Sequence, residues 1–192
     1  MRKSREETAR TRARIVAAAA EEFRRGGIAA TGLASLMSAA GLTHGGFYKH
    51  FASKDQLVAE ACASIMIDVT DTLAERALRE PPDQRLAWFV HAYLSPRHRD
   101  DPAHGCGLAA LGTELARSSA ETRDVVTDGL SHLVEAIARL FDPPGGAHGR
   151  ARAQTLAAGL VGAITLARAV NDPALSDELL ANTASTLLAS IR

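Results

Sequence analysis

The stretch THGGFYKH, residues 43–50, combines hydrogen-bond donors with two adjacent glycines. Among its side chains, Thr43, Tyr48, Lys49 and His50 can donate hydrogen bonds to the oxygens of a phosphate or a similar anion. A glycine inside a helix costs about 1 kcal/mol relative to alanine, so Gly45 and Gly46 need a reason in an alanine-rich chain. Glycine lets a backbone approach a partner closely. We therefore expect this stretch to contact an anionic polymer.

Positive charge is concentrated in the first 54 residues. They hold ten Lys or Arg and four Glu, a net charge of +6, whereas residues 55–192 carry −6. Lys54 lies in the first turn of a predicted helix, where the helix dipole disfavours a cation and a nearby phosphate would reverse that effect. This pattern favours a polyanion-binding end on an acidic body. A solvated basic helix, with Lys54 exposed and without a role, would give the same pattern.

A second group of chemically capable side chains lies close together in the sequence. It consists of His98, Asp101, His104 and Cys106. Such residues can ligate a metal, but no pair has the short spacing of a metal-binding motif, so no metal and no cofactor are expected. Cys106 stands near a predicted helix start, where the dipole could lower the pKa of its thiol and make it reactive. A small buried hydrophobic residue is the alternative interpretation.

Several classes of protein fit the sequence poorly. It has no glycine-flanked serine nucleophile, no phosphate-binding glycine loop and no paired-carboxylate motif, so an enzyme is not expected. The two cysteines give no disulfide framework, and with no signal-peptide pattern the expected compartment is the cytoplasm. The longest apolar run, residues 155–167, is shorter than the roughly 20 residues of a membrane span, so no membrane partner is expected.

Helical periodicity covers the residues that precede the THGGFYKH stretch. An apolar stripe predicts a first helix over residues 10–25, which Gly26 and Gly27 end as a left-handed cap. Thr31 offers an N-cap for a second short helix, which stops at Gly41. A short helix, a tight turn with a glycine and another short helix form a helix-turn-helix unit. In that unit the second helix lies in the major groove of DNA.

The THGGFYKH stretch itself is predicted to be this second, groove-facing helix, at roughly residues 44–50. Thr43 is its expected N-cap, and Phe47 is expected to face inward and hold the helix against the domain. Ser53 and Gln56 have the spacing of a capping box, which predicts the start of a long helix.

The remainder of the chain is also predicted to be helical. The long helix extends to about residue 79, and further helices are predicted over residues 83–94, 106–117, 121–141, 150–170 and 176–191. Residues 96–105 are expected to form a polar loop and residues 142–149 a flexible break. No segment has the period of a strand. The fold class is therefore predicted to be all-α, with about nine helices.

Residues 12–57, and above all GLTHGGFYKHFASKDQL, resemble the DNA-binding domain of the TetR family of bacterial transcriptional regulators. The resemblance implies an N-terminal three-helix helix-turn-helix domain, residues 1–52. It also implies a C-terminal helical domain, residues 53–192, that binds a small-molecule effector and forms a homodimer through its last two helices. Most members of the family are repressors that a ligand releases from a palindromic operator in double-stranded DNA.

The candidate DNA contacts are nine residues: Thr31, Thr43, His44, Gly45, Gly46, Tyr48, Lys49, His50 and Lys54. His44 and Gly46 occupy positions that vary in the family and lie near the bases, so His44 is the expected reader of sequence. Met37 departs from the alanine that the family usually has where two helices cross. Its flexible side chain is expected to fill that gap.

Two further sets of residues follow from the resemblance and from apolar patterning. The candidate walls of the effector pocket are Met66, Trp88, His91, Tyr93, Cys106 and Leu111, each of which could also be ordinary core. The candidate dimer interface is Leu156, Gly159, Leu160, Ala163, Ala167, Leu179, Thr183 and Leu187. An intramolecular core would give the same pattern in the last two helices.

The sequence thus predicts a ligand-controlled, homodimeric DNA-binding regulator, most simply a repressor. One alternative is a regulator that senses oxidants or electrophiles through Cys106. Another is a small helical enzyme with a reactive Cys106 loop, and a third is an architectural helical protein that binds DNA without sequence preference.

Overall fold

A computed structural model describes residues 5–141 and 149–190, and within these ranges the chain is helical without strands. The prediction of an all-α fold is therefore confirmed. The nine α-helices of the described ranges are α1 Arg5–Gly26, α2 Leu33–Ala39, α3 Lys54–Ala77, α4 Arg85–Tyr93, α5 Pro96–Asp100, α6 Gly107–Leu115, α7 Ala120–Ala138, α8 Gly149–Ala169 and α9 Pro173–Ala189. Three 3₁₀ helices cover His44–Lys49, Pro82–Gln84 and Pro102–His104.

Most of the predicted break at 142–149, and the predicted end of the last helix at residue 191, lie outside the described residues. None of the described helices is long and apolar enough to cross a membrane.

Glycines end the first two helices as predicted. Gly27 has a φ of +84°, and its N–H donates to the carbonyl of Phe23 at 2.8 Å. Gly41 has a φ of +67° and donates to Ser38 at 2.9 Å. Both conformations are left-handed, which glycine adopts without the steric cost of a side chain. Gly41 thereby turns the chain from α2 toward the 3₁₀ helix His44–Lys49, and the helix-turn-helix arrangement is confirmed.

The predicted caps hold at one helix and fail at another. Ser53 Oγ accepts the N–H of Gln56 at 3.2 Å at the start of α3, while Gln56 Oε1 accepts the N–H of Ala52 at 2.9 Å. Thr31, in contrast, is not the N-cap of α2, because Gly32 occupies that position without a side-chain bond. The Thr31 hydroxyl donates instead to the carbonyl of Gly27 at 2.5 Å.

The polar composition of residues 96–105 predicted a loop, but the structure shows that this segment is not a loop throughout. It contains α5, which Ser95 caps by accepting the N–H of His98 at 3.2 Å, and the 3₁₀ helix Pro102–His104. A proline follows the N-cap of each, where its fixed φ suits a helix and its missing N–H costs no hydrogen bond. Two short helices, of which only α5 has a side-chain cap, therefore form where polar composition alone favours a loop.

Two apolar cores are present, and α3 contributes to both. The first core lies under α1, α2, the 3₁₀ helix His44–Lys49 and the start of α3, and it includes Leu111 and Leu115 of α6. The second is built from the end of α3 with α4, α7, α8 and α9. The predicted division of the chain at 52/53 falls just before α3. Packing continues across this division, because α3 and α6 contribute side chains to both apolar cores.

Candidate nucleic-acid interface and effector cavity

The donor-bearing stretch forms a short 3₁₀ helix, His44–Lys49, rather than the expected α-helix. Thr43 takes the N-cap position with an extended backbone, but its side chain makes no capping bond. Thr43, His44, Gly45, Tyr48 and Lys49 are all exposed, and Tyr48 is 68% accessible. The structure therefore presents these candidates together on one continuous segment of the surface.

The underside of this segment is held by aromatic packing. Phe47 is fully buried, as predicted, and stacks on Phe51 with ring centroids 5.5 Å apart. The guanidinium of Arg12 lies 4.1 Å from the centroid of the Phe51 ring, donates to the carbonyl of His50 and forms an ion pair with Glu60. Sequence reasoning did not predict this role for Arg12, because its partners lie 38 and 48 residues away in the chain.

No contact among the described residues requires glycine at positions 45 and 46. A Cβ added to Gly45 would meet no atom within 4 Å, and one added to Gly46 would meet Met37 Cε at 3.7 Å, an ordinary contact. Neither glycine has a positive φ. Met37 is fully buried beside Gly46, so its flexible side chain fills the helix crossing as expected.

Lys54 and Thr31 are engaged inside the chain, unlike the other candidate contacts. Lys54 Nζ donates to the carbonyls of Ile28 at 3.1 Å and Thr31 at 2.7 Å. Thr31 is buried, so it does not present its hydroxyl to a partner, and this part of the prediction is corrected. Lys54 thus bonds the loop between α1 and α2, which the sequence did not suggest. Its contact with DNA remains a prediction.

Glu114 of α6 holds the same loop from the other side. Its carboxylate accepts the N–H of Ile28 at 3.0 Å and of Ala29 at 2.6 Å. An acidic side chain that accepts two backbone donors is a strong, charge-assisted link. The helix α6 is therefore connected directly to the first two helices. The only sequence signal was an acid near the end of an amphipathic helix, which is too common to identify such a link.

The six predicted effector residues do not line one cavity. Met66 and Leu111 are buried in the first core, and Tyr93 and Cys106 in the second. His91 is exposed and borders a separate groove between α4 and α9. Trp88 does line a cleft of about 590 Å³ between α3, α4 and residues 95–104. The other residues of that cleft are mainly polar or charged, and apolar patterning therefore could not find them.

The neighbourhood of Cys106 is a closed structural network. Burial lowers the pKa of His98 to about 4, and its neutral ring donates from Nδ1 to the carbonyl of Tyr93 at 2.7 Å. His98 Nε2 then accepts the N–H of Cys106 at 2.9 Å. Arg168 donates to the carbonyls of His98 and Arg99. Cys106 itself is 3% accessible, which fits the small buried hydrophobic interpretation and not a reactive loop.

The other cysteine and the remaining candidate ligands give no reactive or metal site either. Burial raises the pKa of Cys62 to about 11, so its thiol stays protonated at neutral pH. His104 Nδ1 lies 2.9 Å from the carboxylate of Asp101. Among the residues that the structure describes, no three His, Cys, Asp or Glu are grouped as metal ligands would be.

Most of the predicted dimer contacts are buried within the single chain. Leu156, Leu160, Ala163, Ala167 and Leu187 belong to the second core, so the intramolecular alternative is correct for them. Gly159 faces Leu187, whose Cδ2 would lie 3.0 Å from an added Cβ. Helical periodicity could not distinguish an intramolecular core from a dimer interface, because both need an apolar stripe.

A different face of α8 and α9 is accessible and carries little charge. On α8 it consists of Thr155, Ala158, Gly162, Leu166 and Ala169, and on α9 of Leu175, Glu178, Leu179, Asn182 and Thr186, of which Glu178 alone is charged. Leu166 is 55% and Leu175 44% accessible. A Cβ added to Gly162 would meet nothing within 4 Å. Of the predicted interface residues, Leu179 and Thr183 are half-buried.

Comparison with known proteins identifies the segment that carries the donor-bearing stretch. Residues 15–61 match the bacterial regulatory proteins of the tetR family. Over 80 residues, 42% of this chain, the sequence is 38% identical to the HTH-type transcriptional regulator TtgR of Pseudomonas putida. That match spans 38% of the length of TtgR, so the likeness to this relative is limited to part of each protein.

The fold as a whole is shared with solved structures. E. coli NemR in its reduced form superposes with a TM-score of 0.77 at 19% identity, covering 93% of this chain and 95% of NemR. A TetR transcriptional regulator from Chloroflexus aurantiacus J-10-FL gives 0.78 at 23% identity, covering 95% and 96%. At these identities the likeness shows the fold. The likeness to the tetR family of bacterial regulatory proteins itself lies in residues 15–61.

Proposed function

We propose that this protein is a cytoplasmic DNA-binding transcriptional regulator, a repressor that binds a palindromic operator as a homodimer and is released by a small-molecule effector. The observation that carries the proposal is the exposed segment around Gly45 and Gly46. Its glycines have no packing reason inside the chain, and its donors point to an anionic partner. The printed name of TtgR, an HTH-type transcriptional regulator, agrees with this proposal.

In the proposed complex the 3₁₀ helix His44–Lys49 enters the major groove. The two glycines let its backbone approach the bases, and His44 at its start reads a base edge. The side chains of Tyr48, Lys49 and His50, with the hydroxyl of Thr43, contact phosphates and set the register. The buried ring of Phe47 keeps this short helix in place when it lacks the length to be stable alone.

The homodimer that a palindromic operator requires would use the accessible face of α8 and α9. Leu166 and Leu175 are large apolar side chains exposed on this face, where Glu178 is the one charged residue, and the open Gly162 would allow a second helix to approach closely. In this proposal the interface lies beside the buried stripe of the original prediction and not on it. A Leu166→Glu variant should sediment as a monomer, whereas Glu135→Gln, a change at an exposed site on α7, should leave the dimer intact.

The proposal is tested by selecting duplexes from a random pool with the full chain. One enriched palindrome is expected, with an affinity that falls steeply as salt rises because each phosphate contact releases counterions. His44→Ala should change the selected sequence, while Lys49→Ala should weaken all duplexes about equally. Equal affinity for every duplex, without salt dependence, would contradict the proposal. A sequence-independent but salt-dependent affinity would indicate an architectural protein instead.

A further inference from the structure

The cleft between α3, α4 and residues 95–104 has one apolar wall. Val69 and Leu73 of α3 and Trp88 and Ala92 of α4 form it, and all four are half-buried. Trp88 is the single tryptophan of the chain. With a volume of about 590 Å³, the cleft has the size of sites that hold small organic molecules. A flat apolar body can therefore rest against this wall.

The acidic side chains of the cleft already have partners. The carboxylate of Asp68 accepts the hydroxyl of Ser64 at 3.0 Å and lies 3.4 Å from Arg24 Nη1. Asp101 contacts His104 Nδ1 at 2.9 Å, and this hydrogen bond lowers the pKa of the Asp101 carboxyl. Each acid is therefore bonded to a neighbouring side chain, whereas its charge is retained.

Two arginines in the cleft lack such partners. No hydrogen bond or ion pair joins the side chain of Arg76 or Arg97 to any other residue in the ranges 5–141 and 149–190, and both side chains are exposed at the cleft. Arg24, also in the wall, is committed to Asp68 and to the carbonyl of Ala103 at 2.5 Å. His98 is neutral at pH 7 because burial lowers its pKa to about 4. With three arginines and two aspartates in its lining, the cleft carries an excess of one positive charge.

We propose that this cleft binds an aromatic carboxylate, with the ring against Trp88 and the carboxylate between Arg76 and Arg97. The guanidinium group matches a carboxylate in shape and forms paired, charge-assisted hydrogen bonds with it. The inference rests on the proposed function, since it names the chemical class of the effector. Arg24 belongs to the last turn of α1, so the cleft borders the helix-turn-helix domain directly.

The test uses three probes that share one shape and differ in charge. They are 4-phenylbutyrate, its amide and 4-phenylbutylamine, titrated into the full chain while the fluorescence of Trp88 is followed. The acid should give a saturable change, with an affinity about tenfold or more above that of the amide, because only the acid pairs with the arginines. The amine should bind more weakly still.

Variants test whether binding of the acid depends on the arginines of the cleft or on the overall charge of the protein. Arg76→Gln combined with Arg97→Gln should lower the affinity for the acid about tenfold or more and leave the amide unaffected. Arg123→Gln combined with Arg139→Gln is the matched control, since both arginines lie on or at the end of α7, away from the cleft. Circular dichroism checks that each variant remains helical.

Three results would overturn the inference. They are equal binding of acid and amide, an undiminished affinity in the Arg76/Arg97 variant, and no response to the acid at millimolar concentration. Because these titrations contain no DNA, they fail or succeed independently of the selected-duplex experiment. If the protein binds its palindrome but not the acid, the proposed function stands and an aromatic carboxylate is not its effector.

Discussion

Glycines in two regions of this protein are used for opposite reasons. Gly107 begins α6, and an added Cβ would lie 2.1 Å from Ile65 Cγ2 and 2.9 Å from the carbonyl oxygen of Ile65. Gly45, at the tip of the helix-turn-helix, would place its Cβ in open space. Packing within the chain explains the first glycine and leaves the second unexplained. The open position of Gly45, taken together with the exposed hydrogen-bond donors beside it, points to a partner outside the chain.

The largest effect on the free energy of unfolding is expected from adding a side chain at Gly107. Gly107→Ala forces α3 and α6 apart, because part of the clash is with backbone, and should lower the free energy of unfolding by about 3 kcal/mol. Gly112→Ala in the same helix is the matched control, since its Cβ would meet nothing within 4 Å. Urea unfolding of both variants measures the difference. Equal stabilities would show that the close approach of α3 and α6 is not rigid.

Acid should destabilise the body of the protein through His98. The pKa of this histidine is lowered to about 4 in the folded chain from its ordinary 6.5, so below pH 6.5 the unfolded chain takes up a proton that the folded one refuses. The contribution of neutral His98 to the free energy of unfolding is therefore complete above pH 6.5. It should fall by about 3 kcal/mol as the pH drops toward 4. In His98→Gln this part of the pH dependence should disappear. Parallel curves for the two proteins would contradict the assignment.

Lys54 and Lys49 provide a second comparison, because Lys54 bonds to carbonyls within the chain whereas Lys49 is exposed. Lys54→Ala removes donors from two carbonyls of the α1–α2 loop and should lower the free energy of unfolding by about 1–2 kcal/mol. Lys49→Ala, at an exposed side chain, should change stability by less than about 0.5 kcal/mol. Unfolding curves and the salt dependence of duplex binding, measured on both variants, decide the roles. A stable Lys54→Ala protein would show that the loop does not depend on its ammonium group.

Local signals in the sequence predicted the glycine turns of the helix-turn-helix, although not the 3₁₀ form of residues 44–49 or the position of Thr31. The left-handed caps at Gly27 and Gly41, the capping by Ser53 and the buried Phe47 all depend on residues within a few positions of one another. These interactions form over one or two helical turns, so spacing alone predicts them.

Contacts between distant residues escaped prediction. Glu114 reaches the N–H groups of Ile28 and Ala29 across more than eighty positions, and nothing near Glu114 in the sequence marks it as different from other acids. The buried stripe of α8 and α9 was assigned to a partner because cores and interfaces share one periodicity. The cleft beside Trp88 was missed because polar and charged side chains from three separate segments form most of it.

The most direct test compares affinity and stability in one variant, Gly45→Ala. Alanine fits the free protein and should leave the free energy of unfolding unchanged or raise it by up to about 1 kcal/mol. Its affinity for the selected palindrome should fall about tenfold or more, whereas Gly112→Ala should bind as the unmodified protein does. A Gly45→Ala protein that binds the palindrome with undiminished affinity would contradict the claim that DNA approaches this backbone.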